Sequence, residues 1–264
     1  DVTNLVAPWA TVIANVGLDH TAVLGDTLEK IARQKAGIAK RSVPMVLYSD
    51  LPKGVHDAIV SVCRNAGAPI YEGERIRIIQ QDGALHPVLT FQTDKGEVGP
   101  LTLPLMGAHQ VKNAQLALAA MMALEGKIRT TEAQLAEGLR TTRWPGRMQW
   151  IPTCGMGPQI LVDGAHNPQA ALQLKENIRR LFGETPVVLL CAVMRDKNTK
   201  EVVRQLNEVA EVAVCTVAEP QRGMPAQDLA ALFSCPAEAV PDAAKAYARA
   251  CQAARHRGAL LVVA

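Results

Sequence analysis

Gln159-Ile160-Leu161-Val162-Asp163-Gly164-Ala165-His166-Asn167-Pro168 is the stretch whose reading decides the fold. The apolar run from Gln159 to Asp163 reads as a strand. Asp163 leaves the strand tip, Gly164 frees the turn, and Asn167 is placed to cap a helix whose first position is Pro168. Strand, tight turn and helix form the repeating unit of parallel α/β sheets.

Working downstream, Val187–Val193, Glu211–Thr216 and Ala259–Ala264 read as further strands. They alternate with helical patterns at Pro168–Leu181, Thr199–Val209, Ala226–Leu232 and Asp242–Arg255. This predicts a doubly wound, Rossmann-like α/β domain over residues 144–264. Upstream, Arg143-Trp144-Pro145-Gly146-Arg147 interrupts the helical pattern and sets the expected boundary, because Pro and Gly punctuate structure strongly. The first domain, residues 1–143, opens with a strand at Ala10–Val16, expected to be a buried parallel strand, and a helix at Thr27–Lys40. A strand at Val43–Tyr48 and a helix at His56–Ala66 follow. From Tyr71 to Leu105 the apolar period becomes two, so residues 71–105 are read as an antiparallel hairpin insertion. Helices at Gln110–Leu124 and Thr131–Leu139 complete this domain, the latter capped by Thr130 or Thr131.

The composition narrows the function. A net charge of +3 over 264 residues gives no electrostatic footprint for nucleic acid or an anionic membrane, so the expected partners are small molecules. No apolar run reaches the roughly 20 residues that a membrane-spanning helix needs, and a cytoplasmic protein is expected. The six cysteines form no Cys-x-x-Cys pair and read as buried small hydrophobes.

Five short stretches could hold chemistry. Asn15-Val16-Gly17-Leu18-Asp19-His20-Thr21 runs from a strand end into a loop, where open α/β sheets bind their ligands. A loop histidine that caps a backbone group is the plainer reading of His20 by itself. Lys35 shares a helical stripe with Ile31, Gln34 and Ile38, which draws it toward the core side; a snorkelling lysine with its ammonium in water is the commoner case. In Asp163-Gly164-Ala165-His166-Asn167-Pro168, capping explains every residue except His166. His109-Gln110-Val111-Lys112-Asn113 begins a helix, and Trp144-Pro145-Gly146-Arg147 offers a guanidinium that could reach phosphates bound between two domains.

The order and spacing of these five stretches resemble the folylpolyglutamate/dihydrofolate synthases of the Mur ligase superfamily. The resemblance extends over Leu24-Gly25-Asp26-Thr27-Leu28 and Lys35-Ala36-Gly37-Ile38 as well. It implies an α/β fold with a P-loop-type mononucleotide-binding domain, present here in part, followed by the Rossmann-like domain. It also implies an ATP-dependent amide ligase that adds L-glutamate to dihydropteroate or to folate and its polyglutamates through an acyl phosphate. Carried over position by position, His20 resembles a Mg²⁺ ligand. Asn113, Arg147 and Asp163 match ATP-contacting positions, and His166 lies near glutamate or the transferred phosphate. Lys35 matches a carbamylated lysine, whose added carboxylate would be drawn to Mg²⁺ where an ammonium would be repelled. Asp1 and Val2 match a segment beside the pterin substrate. The implied partners are dihydropteroate or folate, L-glutamate and ATP, with no nucleic acid or membrane, and a monomer is expected.

The chain opens on Asp1-Val2-Thr3-Asn4 and closes on Leu260-Leu261-Val262-Val263-Ala264. The family's Gly-rich phosphate loop and an acidic metal ligand are expected upstream of Asp1. A closing Gly-Ser segment is expected beyond Ala264, and the 264 residues alone are expected to be inactive. Two rival readings are a UDP-muramyl amino-acid ligase and a non-catalytic binding module.

Overall fold

The computed structural model describes residues 2–18, 21–48, 50–153, 157–195 and 198–264, apart from the side chains of Val2, Thr3, Thr21, Ala22 and Glu74. Asp1 and His20 lie outside the described residues, as does the side chain of Val2. The chain divides into two compact units. One comprises residues 1–104 and 108–142, the other 105–107 and 143–264.

The first unit contains β1 (Thr11–Ile13), α1 (Thr21–Leu24), α2 (Leu28–Ala36), β2 (Met45–Leu47), α3 (Lys53–Ala66) and β3 (Ile70–Glu72). These strands form a parallel sheet in the order β1-β2-β3, with Ile13 opposite Leu47 and Leu47 opposite Glu72. Thr27 caps α2 by accepting from the Lys30 N–H, and Gly67 ends α3 in the left-handed conformation that glycine adopts without steric penalty. Ile13, Met45 and Leu47 pack against Ile31, Ala32 and Ala36 of α2 and Val55, Ile59 and Cys63 of α3. The strand expected over Ala10–Val16 is only three residues long, because its partner β2 offers three. Its middle residue Val12 is 41% exposed, so β1 buries one face and not the two expected of a fully buried parallel strand.

The period-two segment forms a separate antiparallel sheet in the order β4-β5-β6, from β4 (Arg77–Asp82), β5 (Val88–Thr93) and β6 (Gly96–Thr102). Tyr71 does not belong to it. That residue pairs with Val46 in the parallel sheet, and the antiparallel run begins only at Arg77. Next come α4 (Ala108–Ala123), which touches β2 and β3, and α5 (Glu132–Arg140). Thr131 and Gln134 form a reciprocal capping box at the start of α5.

The second unit adds β7 (Gln149–Ile151), β8 (Ile160–Val162), α6 (Pro168–Phe182), β9 (Val187–Cys191), α7 (Thr199–Asn207), β10 (Val212–Cys215), α8 (Ala226–Ala230), β11 (Ala237–Ala239), α9 (Ala243–Arg257) and β12 (Leu260–Val263). Its sheet order is β11-β10-β9-β12-β8-β7, parallel except for β7 against β8. The alternation of side chains along β9 sorts the two faces. Val187, Leu189 and Cys191 meet the apolar stripes of α6, α7 and α8, whereas Val188 and Leu190 meet Ala246, Ala250 and Ala254 of α9. Helices on both faces make this a doubly wound layer. The short strands β7 and β11 had no counterpart in the sequence reading.

Cys154 lies outside the described residues; of the other cysteines, Cys63, Cys191 and Cys215 are buried, but Cys235 and Cys251 are only half-buried, so the expectation of uniform burial fails there. Among the described residues, no helix is long and apolar enough to cross a membrane.

Candidate functional site

The carboxyl end of β8 is where the second unit gathers polar groups. Because β8 lies beside the chain-terminal strand β12, the Asp163 N–H continues the sheet ladder to the Val263 carbonyl at 2.9 Å. Its side chain therefore leaves the sheet at a fixed position. Asn167 then accepts from the Ala170 N–H at 2.9 Å, and Pro168 opens α6, so the turn between strand and helix is only the five residues 163–167.

A second loop wraps this turn. Gly146 has φ +72°, and Met148, a rare non-glycine at positive φ, has +45°. This backbone delivers the Met148 N–H to Asp163 Oδ2 at 2.8 Å while the Met148 side chain enters the core. The Gly146 carbonyl accepts from the Gly164 N–H at 2.8 Å, and the Gly146 N–H donates to Gln149 Oε1 at 2.9 Å. The two loops are thus tied to each other by backbone bonds, and Arg147 stands between two fixed neighbours.

Asp163 is 8% exposed. Burial raises its pKa above the ordinary carboxylate value, while the Met148 N–H, the Arg147 guanidinium, the Ala165 N–H and the His166 ring all pull the other way. His166 is exposed, and its Nδ1 lies 2.8 Å from the Gly164 carbonyl. A carbonyl can only accept, so Nδ1 donates and Nε2 is left facing outward. The arrangement joins a buried acceptor, an exposed guanidinium and a solvent-facing imidazole at one strand end.

The other candidates lie in the first unit. Asn113 is exposed on the second turn of α4, its Nδ2 donating to Gln110 Oε1 at 3.1 Å. Lys35 is half-buried in the last turn of α2, and its side chain makes no hydrogen bond or ion pair with a described residue. Arg147, Asp163 and His166 are brought together; Lys35 and Asn113 belong to separate helices of the first unit. Among the described residues no group of three or more His, Cys, Asp or Glu is placed to hold a metal ion.

Sequence reasoning missed the Met148 backbone donor, because nothing in a methionine codes for positive φ. It also missed Lys175, a buried lysine on α6 whose Nζ donates to Gln205 Oε1 at 2.8 Å and Glu208 Oε1 at 3.0 Å. The contact is structural and ties α6 to α7. The helical spacing places Lys175 one turn beyond Ala171 on the buried stripe, and that was the available signal.

Polar groups gathered beyond the carboxyl ends of the strands stand where doubly wound sheets bind their ligands. The Mur ligase middle domain matches residues 1–121, and the Mur ligase glutamate ligase domain matches residues 146–264. A probable bifunctional folylpolyglutamate synthase/dihydropteroate synthase of Haloferax volcanii is 34% identical over 243 residues, covering 88% of this chain and 27% of that protein. The dihydrofolate synthase/folylpolyglutamate synthase of Bacillus subtilis is 29% identical over 233 residues, covering 87% of this chain and 53% of that protein. The solved structure of Escherichia coli FolC in complex with ADP, without folate substrate, superposes with a TM-score of 0.86 at 27% identity, covering all of this chain and 60% of that one. The chain belongs to the Mur ligase superfamily, and within it to the folylpolyglutamate/dihydrofolate synthase family. It spans between about a quarter and about half of the length of these two curated relatives.

Proposed function

We propose that the gene product carrying this chain is an ATP-dependent amide ligase that adds L-glutamate to dihydropteroate, to folyl(poly)glutamate, or to both. The observation that supports it most is the Arg147, Asp163 and His166 cluster at the end of β8, within a domain matched by the Mur glutamate ligase family. The names of the relatives from Haloferax and Bacillus support the folate branch over a UDP-muramyl substrate or a non-catalytic module.

In the proposed reaction, a substrate carboxylate oxygen attacks the γ-phosphorus of ATP and ADP leaves. The glutamate amine then attacks the acyl carbon, loses a proton, and phosphate departs with the original carboxylate oxygen. Little of this needs a protein nucleophile; it needs charge placed where phosphoryl oxygens develop it. Arg147 suits that work, since a guanidinium stays charged at all relevant pH and grips phosphate with paired N–H groups. An ionised Asp163 can only accept, so its partner on the nucleotide is a hydroxyl and not a phosphate. Asn113 is assigned to ATP by the family resemblance. His166 is assigned a place near glutamate or the transferred phosphate, and Asp1 and Val2 are assigned to the pterin end of the substrate.

Structures of E. coli FolC with ADP and of the Yersinia pestis bifunctional enzyme with AMPPNP and Mn support ATP and a divalent metal. The described residues do not by themselves make a metal site. His20 remains the proposed Mg²⁺ ligand. Lys35 is proposed as a carbamate, on the strength of the family resemblance and of its half-buried position without an anionic partner among the described residues. The test is incorporation of labelled glutamate into dihydropteroate and into tetrahydrofolate by the purified gene product, with and without ATP. ATP-dependent incorporation into either is expected; ATP-independent or absent incorporation would reject the proposal.

A further inference from the structure

Asn113, assigned above to ATP, sits one residue after a lysine that the proposed mechanism does not use. Lys112 Nζ donates to Asp50 Oδ2, a bond that joins α4 to the loop after β2 across 62 positions of sequence. The same ammonium lies 5.7 Å from the centroid of the Tyr48 ring. Tyr48 is itself anchored, because its N–H extends the parallel ladder to the Ile13 carbonyl at 3.2 Å. Its ring is half-buried, and its hydroxyl pKa is pushed up to about 12 by burial and by the Asp50 carboxylate, so the ring is neutral and keeps an electron-rich face for the cation. On the other side of Asn113, Gln110 is buried and accepts from its amide.

At this end of α4 Gln110, Val111 and Ala114 are buried, and Asn113 stands exposed between them. A side chain on such a turn is only as well placed as the turn itself.

We propose that Lys112, clamped between Asp50 and Tyr48, is a positioning residue that fixes the first turns of α4 against the carboxyl end of β2 and so holds Asn113 in place for the nucleotide. The inference rests on the assignment of Asn113 to ATP. Lys112 touches no reacting atom in this account; it acts through Asn113.

Both members of the pair are solvent-accessible, at 43% and 53% side-chain exposure, so water and salt screen the ion pair. The expected effect is correspondingly small and falls on binding. Lys112→Met should raise KM for ATP about three- to fivefold with kcat within about twofold of wild type. Lys112→Arg keeps both the charge and the ring contact and should restore KM. Asp50→Asn serves as a second variant should Lys112→Met fail to fold.

The decisive arm is a double-mutant cycle in the gene product that carries this chain, with Asn113→Ala as the second change. If Lys112 works through Asn113, Lys112→Met has no further effect on KM once Asn113 is alanine. If the two effects multiply, the positioning role is overturned while the assignment of Asn113 stands. If Asn113→Ala alone leaves KM for ATP unchanged, that assignment fails, and the purpose given to the clamp fails with it.

Discussion

The backbone N–H of Met148 donates to Oδ2 of Asp163 at 2.8 Å, and this bond makes the hinge-like Pro-Gly loop and the strand tip of β8 one rigid site. Each loop constrains the other: the Gly164 N–H returns to the Gly146 carbonyl, and the intervening Arg147 has little freedom in its backbone. Such fixed donors and charges cost little reorganisation when a phosphoryl group arrives.

Asp163→Asn separates stability from function. Burial is the largest influence on this carboxyl, and the net result is a folded pKa above its ordinary value of 3.8. The folded state therefore binds more protons than the unfolded chain between those two values, and stability falls as pH rises through that window. Asparagine retains an acceptor for the Met148 N–H and removes the buried charge. The variant should match or exceed wild type in urea unfolding at pH 7, with the difference closing below pH 3.8, while its affinity for ATP drops. A variant that loses stability at pH 7 relative to pH 4 would contradict this.

Arg147→Ala should lower turnover at least about tenfold, the scale of one lost charge-assisted phosphate contact. Arg147 is exposed and its side chain fills no core, so the melting temperature should move little. Wild-type turnover in a folded Arg147→Ala protein would show that the guanidinium serves something other than phosphate.

Much of the doubly wound unit was legible because each strand is an apolar run of the right length and each helix announces its start. Asn167-Pro168 fixed the beginning of α6, and Asp242 the beginning of α9, whose N-cap accepts from the Lys245 N–H. Strand β7 escaped notice because Gln149 and Ile151 are exposed and only Trp150 turns inward, to stack on Phe182 at 5.3 Å. Tyr71 and Glu72 of β3 read as part of the antiparallel insertion because so short a strand does not reveal whether its neighbour runs parallel or antiparallel. In the site, Asp163 and His166 could be named from the turn that bears them. The positive φ of Met148 and the clamp on Lys112 depend on contacts between distant segments, which no local pattern encodes.

Lys35→Ala should abolish most activity, and small carboxylic acids supplied in solution should restore part of it by occupying the place of the carbamate. With ¹³C-labelled bicarbonate, a carbamate carbon resonance should appear in the wild-type protein and be missing from the alanine variant. An active Lys35→Ala variant without such a resonance difference would remove the carbamate from the account.

Ile59→Ala tests the core that supports the first unit. Ile59 is fully buried among α2, α3 and the parallel sheet, and truncation should cost about 2–5 kcal/mol through lost burial and the cavity left behind. Chemical unfolding measures it; a cost below about 1 kcal/mol would mean that the neighbouring side chains collapse into the space.

The acyl phosphate is the central chemical claim, and isotope transfer tests it most directly. A dihydropteroate or folyl substrate labelled with ¹⁸O in the reacting carboxylate is turned over with ATP and L-glutamate by the purified gene product, and the inorganic phosphate is analysed by mass. Transfer of one ¹⁸O from the carboxylate to phosphate per amide formed is the predicted result. Amide formation that leaves the phosphate unlabelled would contradict activation by phosphorylation.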